Sequence, residues 1–148
     1  MIKHLLLISL FIVNFTLAQD IADYKNVMNE SKLTITQDDI RLIKLSPNKK
    51  SIIKRLKSYK ELILRAKNQT TEKKLVMVNS FFNKFQYKQD SKLYASSDYW
   101  ATKKEFLMRG FGDCEDYAIA KYAALVELGV PLEKLALYLT YQITQKLR

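Results

Sequence analysis

From Asp113 to Leu128 the chain places apolar residues around nearly the whole circumference of a helix: Tyr117, Ala118, Ile119, Ala120, Tyr122, Ala123, Ala124, Leu125, Val126 and Leu128. A helix that is apolar all round and rich in alanine has no face to give to water. It must sit at the centre of a domain with its neighbours packed closely on it. Gly129 and Pro131 are the usual signals for its end. With 148 residues, 48% of them hydrophobic, the chain is long enough for one such core and too short for two.

The start of that helix carries the chemistry. The single cysteine, Cys114, stands where the turn Gly110-Phe111-Gly112-Asp113 hands over to it. A helix N-terminus has about half a positive charge and free N–H donors, so it favours thiolate over thiol and can hold the oxyanion of an acyl-transfer intermediate. Asp113 and Glu115 flank the sulfur and oppose this, unless a cation neutralises them. Asp113 is also a good N-cap, with Glu115 and Asp116 in the first turn, where acids suit the helix dipole. A Cys-His enzyme needs a general base, yet the only histidine is His4. A lysine would need deep burial to serve as a base near neutral pH.

His4 lies in a segment marked for removal. A short basic start, an apolar run over residues 5–15 and the small residues before Gln19 read as a cleaved signal peptide, residues 1–18. The run is too short for a spanning helix, which takes about 20 apolar residues. Export to a bacterial periplasm follows, and a lone cysteine in an exported chain suggests a reactive thiol or an intermolecular disulfide. The full chain carries a net charge of +10, and removal of Lys3 with the signal peptide leaves 24 Lys and Arg against 15 Asp and Glu, or +9, which points to an acidic partner, an anionic membrane surface or simply a solvated lysine-rich face. No nucleic-acid motif, phosphate-binding glycine loop or zinc-type cluster occurs.

Elsewhere, residues 19–34 read as an irregular arm. Thr36 and Asp39 have capping-box spacing and open a short helix, which Ser46, Pro47 and Asn48 break. Over residues 50–67, Ile52, Ile53, Leu56, Tyr59, Leu62, Ile63 and Ala66 share one helical face, with Lys54, Arg55, Lys57 and Lys60 mainly on the other. This basic amphipathic helix suits a membrane surface or a partner, as well as an ordinary protein surface. A further helix runs through Leu75, Val78, Phe82 and Phe85, residues 89–98 are polar and turn-like, residues 103–109 are helical, and residues 135–141 read as a β-strand.

Asn79-Ser80-Phe81-Phe82-Asn83, Asp98-Tyr99-Trp100-Ala101-Thr102 and above all Gly112-Asp113-Cys114-Glu115-Asp116-Tyr117, followed by Leu128-Gly129-Val130-Pro131, resemble the bacterial transglutaminase-like cysteine proteinases, the family of LapG-type periplasmic adhesin proteases. The resemblance covers roughly residues 35–141. It implies an α+β, papain-like/transglutaminase-like fold, of which residues 35–148 hold a partial domain: the helical half plus the first strand, with the rest of the sheet missing. It makes Cys114 the nucleophile of a calcium-dependent cysteine protease that cleaves a cell-surface adhesin and controls biofilm attachment. Asp113 and Glu115 are then the matching calcium ligands and Asp116 a weaker one, although calcium takes six to eight oxygens. An inner-membrane regulator that responds to cyclic-di-GMP is the implied partner. Trp100 is expected to pack beside the catalytic helix as core, and Lys103 stands where a proline is expected, a minor loop change. The family's histidine and aspartate strands have no match here, which implies a C-terminally truncated, inactive chain. The alternatives are a non-catalytic binding protein that competes for the protease's regulator or substrate, and a frameshifted gene fragment.

Overall fold

Three helices in this chain begin where a threonine hydroxyl can accept a free N–H group of the first turn. In the computed structural model, which describes residues 32–88 and 99–137, Thr36 caps α1 (Gln37–Leu45), Thr70 caps α3 (Thr71–Phe82) and Thr102 caps α4 (Lys103–Arg109). Two of these caps are reciprocal. The Thr36 amide donates to Asp39 Oδ2 at 2.7 Å and the Thr102 amide to Glu105 Oε2 at 2.9 Å, while each threonine oxygen accepts from the third helical amide. Such caps are worth about 1 kcal/mol each. The expected capping box at Thr36 is present, and the structure adds a second at Thr102.

Between α1 and α3 lies α2 (Lys49–Ala66), and α5 (Cys114–Glu127) follows α4. α4 and α3 pack on α5, α2 covers both of them from outside, and α1 lies on α2. The central position expected for α5 is borne out: Ile119, Ala120, Ala123 and Ala124 are almost wholly buried, and Cys114 is its one exposed residue. An aromatic run fills the space between α3, α4 and α5. The Phe85 and Phe106 rings stack at 5.1 Å, and Tyr117 meets Phe106 edge-on at 4.9 Å, both favoured geometries. Below α5, Gly129 adopts a left-handed φ of 73°. Its amide and that of Val130 return to Val126 and Leu125, closing the helix in a Schellman motif.

Three sequence expectations change. α3 ends at Phe82 and leaves Phe85 in the turn beyond it, while Leu75 is exposed. The residues after Phe85 form strand β1 (Gln86–Tyr87), which pairs in parallel with β2 (Phe111–Gly112), a two-strand sheet too short for any periodicity to announce. Residues 132–134 form a 3-10 turn and 135–137 no regular element. The remainder of the expected strand over 135–141 lies outside the described residues, as do residues 1–18, 19–31 and 89–98.

Candidate active site

Local sequence sets the turn before Cys114. Gly110 ends α4 in the left-handed region, with φ 82° and its amide donating to Phe106 O, so the chain reverses and runs out as β2. Arg55, reaching across from α2, donates from Nε to Leu107 O at 2.7 Å and from its guanidinium to Met108 O. A cation on these last carbonyls also complements the negative end of the α4 dipole. The sequence placed Arg55 on the solvent side of α2. The structure turns it inward, half-buried, and burial pushes its pKa down.

Several further ties hold the turn. Gln86 N donates to Gly110 O and Lys88 N to Gly112 O at 2.8 Å, the parallel bridge of β1 and β2. Tyr117 Oη donates to Phe85 O at 2.6 Å, one helical turn beyond the cysteine. Asp116, 2% exposed, accepts from the Ala101 amide at 2.8 Å and so fixes the Trp100–Ala101 segment against the first turn of α5. A Cβ at Gly112 would collide with that carboxylate, so glycine is required there by close approach. Ala101 is fully buried, and Trp100 beside it is half-buried.

Within this frame Cys114 opens α5 and is exposed. Its Sγ donates to Glu115 Oε2 at 2.9 Å. That bond, with partial burial and then the charges of Glu115 and Asp113, pushes the thiol pKa up from its ordinary value. The backbone hydrogen bond at Glu115, which favours thiolate, is the smaller influence. Asp113 occupies the N-cap position with extended backbone and is buried, but its side chain makes no capping hydrogen bond, contrary to expectation. The structure brings Asp113, Cys114, Glu115 and Asp116 together at one helix end. No group of three or more His, Cys, Asp and Glu side chains arranged to hold a metal occurs among the described residues. Asp116 is engaged with Ala101, so the residues described do not by themselves make a complete calcium site.

Lys103 is the largest departure from the sequence reading. It is the first residue of α4, a position that proline also suits, but it is no minor loop change. Its side chain is fully buried, and Nζ pairs with Glu127 Oε2 at 2.7 Å, while Tyr59 Oη donates to the same oxygen at 2.5 Å. Burial, then the hydrogen bond and charge of Glu127, drive the Tyr59 pKa far above that of a free phenol. The helix that delivers the cysteine turn is thereby clamped to the far end of α5 and to α2. The substitution at Lys103 was visible in the sequence but its pairing with Glu127 was not, because an ion pair 24 residues apart follows no local period.

A family model described as bacterial transglutaminase-like cysteine proteinase, BTLCP, matches residues 50–146. The chain belongs to this family. Among solved structures it is similar to Legionella pneumophila LapG, at 38% identity and a TM-score of 0.54, over 71% of this chain and 56% of that one. It therefore spans little more than half the length of that relative. No curated protein matches. The likeness supports the papain-like, transglutaminase-like fold, here mostly helical with a short two-strand sheet.

Proposed function

We propose that this chain carries the nucleophile-bearing half of a periplasmic cysteine endopeptidase, exported through residues 1–18, with Cys114 as the attacking thiol. The observation that supports it most is the exposure of Cys114 alone on an otherwise sheltered helix, at the end where free amides face an incoming carbonyl oxygen. Attack would join Sγ to the carbonyl carbon and place the oxyanion by these amides. The thiol proton must first leave. Glu115 already accepts it in a hydrogen bond, but a carboxylate is a poor base for a thiol: the ordinary pKa values differ by roughly four units, about 6 kcal/mol uphill. His4 is the only histidine of the sequence, so the base that the reaction needs is not among the residues described around Cys114.

The family supplies the rest of the proposal. An adhesin-type surface protein is the substrate, and an inner-membrane regulator responsive to cyclic-di-GMP is the partner, in control of biofilm attachment. Calcium beside the cysteine would draw on Asp113 and Glu115, with Asp116 a lesser donor, and further oxygens would be needed. Bound there, the ion would neutralise the charges that hold the thiol protonated. The lack of a base also supports a second reading, a non-catalytic protein that keeps the family surface and competes for the regulator or substrate.

The test is to incubate the full chain with an adhesin-type peptide and, separately, with iodoacetamide, each with chelator and with calcium. Alkylation at Cys114 without cleavage is expected, since loss of members of a catalytic unit costs several orders of magnitude in rate. Calcium-dependent cleavage abolished by Cys114→Ala would show the chain to be a complete protease. A thiol inert to alkylation in the folded protein would remove Cys114 from the nucleophile's role.

A further inference from the structure

Helix α2 buries one side and presents the other to solvent, and the solvent side has its own order. Ile52, Tyr59, Leu62 and Ala66 face the core. On the opposite side Lys50, Ile53, Lys57, Lys60, Leu64 and Lys67 recur at spacings of three and four, forming one continuous outward stripe, and every one of them is exposed. Ile53 and Leu64 are 42% and 66% exposed, so aliphatic surface lies in line with the ammonium groups. From Arg41 to Lys67 the sequence holds ten Lys and Arg against a single acid, Glu61. Among the described residues none of the stripe lysines has an acidic partner. α1 adds the exposed Leu42 and Leu45 just before α2 begins.

A uniformly solvated face does not need aliphatic side chains in register with lysines, and a nucleic-acid surface does not use them. An anionic bilayer uses both: lysines reach lipid phosphates while short aliphatic groups enter the headgroup boundary. We propose that the outward stripe of α2 docks the protein on an anionic phospholipid surface. Arg55, on the inner side of the same helix, holds the end of α4 next to the cysteine turn. Docking through the stripe therefore leaves the inner side of α2, and the end of α4 that it holds, turned from the lipid.

The experiment uses the full chain with phosphatidylglycerol vesicles and, as the uncharged control, phosphatidylcholine vesicles. Lysine acetylation is read residue by residue by mass spectrometry, because residues 5–15 are apolar and could tether the chain without the stripe. Labelling of Lys50, Lys57 and Lys60 is expected to fall several-fold on phosphatidylglycerol alone, with the exposed Lys73 and Lys84 unchanged, and to recover in concentrated salt, where screening shortens to ~3 Å at 1 M. Exchanging the three lysines for glutamate should lower partitioning by roughly 100-fold. Ile53→Ser with Leu64→Ser should weaken it less, and these exposed positions leave the fold intact by circular dichroism. Equal labelling of all lysines on both vesicle types would overturn the proposal. So would protection by duplex DNA or polyglutamate that matches the lipid and is indifferent to Ile53 and Leu64, which would mark a general polyanion surface.

Discussion

The two ends of α5 obey opposite rules. At the C-terminal end every local demand is met: Gly129 turns left-handed, two amides return to free carbonyls, and Glu127 takes both Lys103 and Tyr59 on one oxygen. At the N-terminal end Asp113 stands at the cap without capping, Cys114 is exposed, and two acids hold its proton in place against the helix dipole. The first end is built for stability. The second keeps its first turn accessible to a ligand, and departures from local rules gather where a protein does chemistry.

Breaking the settled end should have the largest effect. Lys103→Met keeps the volume and removes the cation, leaving the Glu127 carboxylate without its counter-charge. We expect a loss of about 3 kcal/mol in denaturant unfolding, the low end of the range for a buried pair because the Glu127 side chain is 13% exposed. The double variant with Glu127→Met should recover only part of it, since an apolar pair is often as stable as the ion pair but the buried Tyr59 hydroxyl loses its acceptor. Alkylation of Cys114 under native conditions should not change. If it does, the two ends are coupled and the contrast between them fails.

That ion pair also marks the boundary of what the sequence could reveal. α1, α2, α4 and α5 were legible because caps and three-four spacing act over one or two turns, and the central place of α5 followed from its alanines. Cys114, Asp113, Glu115 and Asp116 were legible as a cluster because they are consecutive. Their roles were not. Where Asp116 points and which way Arg55 turns depend on Ala101 and Leu107, brought near only by the fold. The β1–β2 bridge was invisible because two residues per strand leave no alternation to read.

A middle-sized effect should come from the reactive end. Glu115 is the first cause of the raised Cys114 pKa and Asp113 a later one. The thiol is therefore neutral over the physiological range, and the pH profile of its alkylation should inflect above that of a free cysteine. Glu115→Gln should move the inflection down, speeding alkylation at pH 7 by roughly tenfold for each pK unit. Asp113→Asn should do the same more weakly. An inflection that stays put in Glu115→Gln would mean that burial, not the acid, holds the proton.

The smallest expected effect compares two glycines, one behind each end. Gly129 and Gly110 have almost the same left-handed backbone, with φ 73° and 82°. A methyl group at Gly129 would meet no atom within 4 Å, so Gly129→Ala should cost only the backbone penalty, about 1 kcal/mol. At Gly110 the added carbon would lie 2.7 Å from the Arg55 guanidinium, so Gly110→Ala adds a collision with the group that holds the end of α4. The excess of the second loss over the first therefore measures how firmly Arg55 fixes the approach to Cys114. Equal losses in thermal unfolding would mean that Arg55 moves aside freely, and the cysteine turn would then depend on the β1–β2 bridge and Asp116 alone.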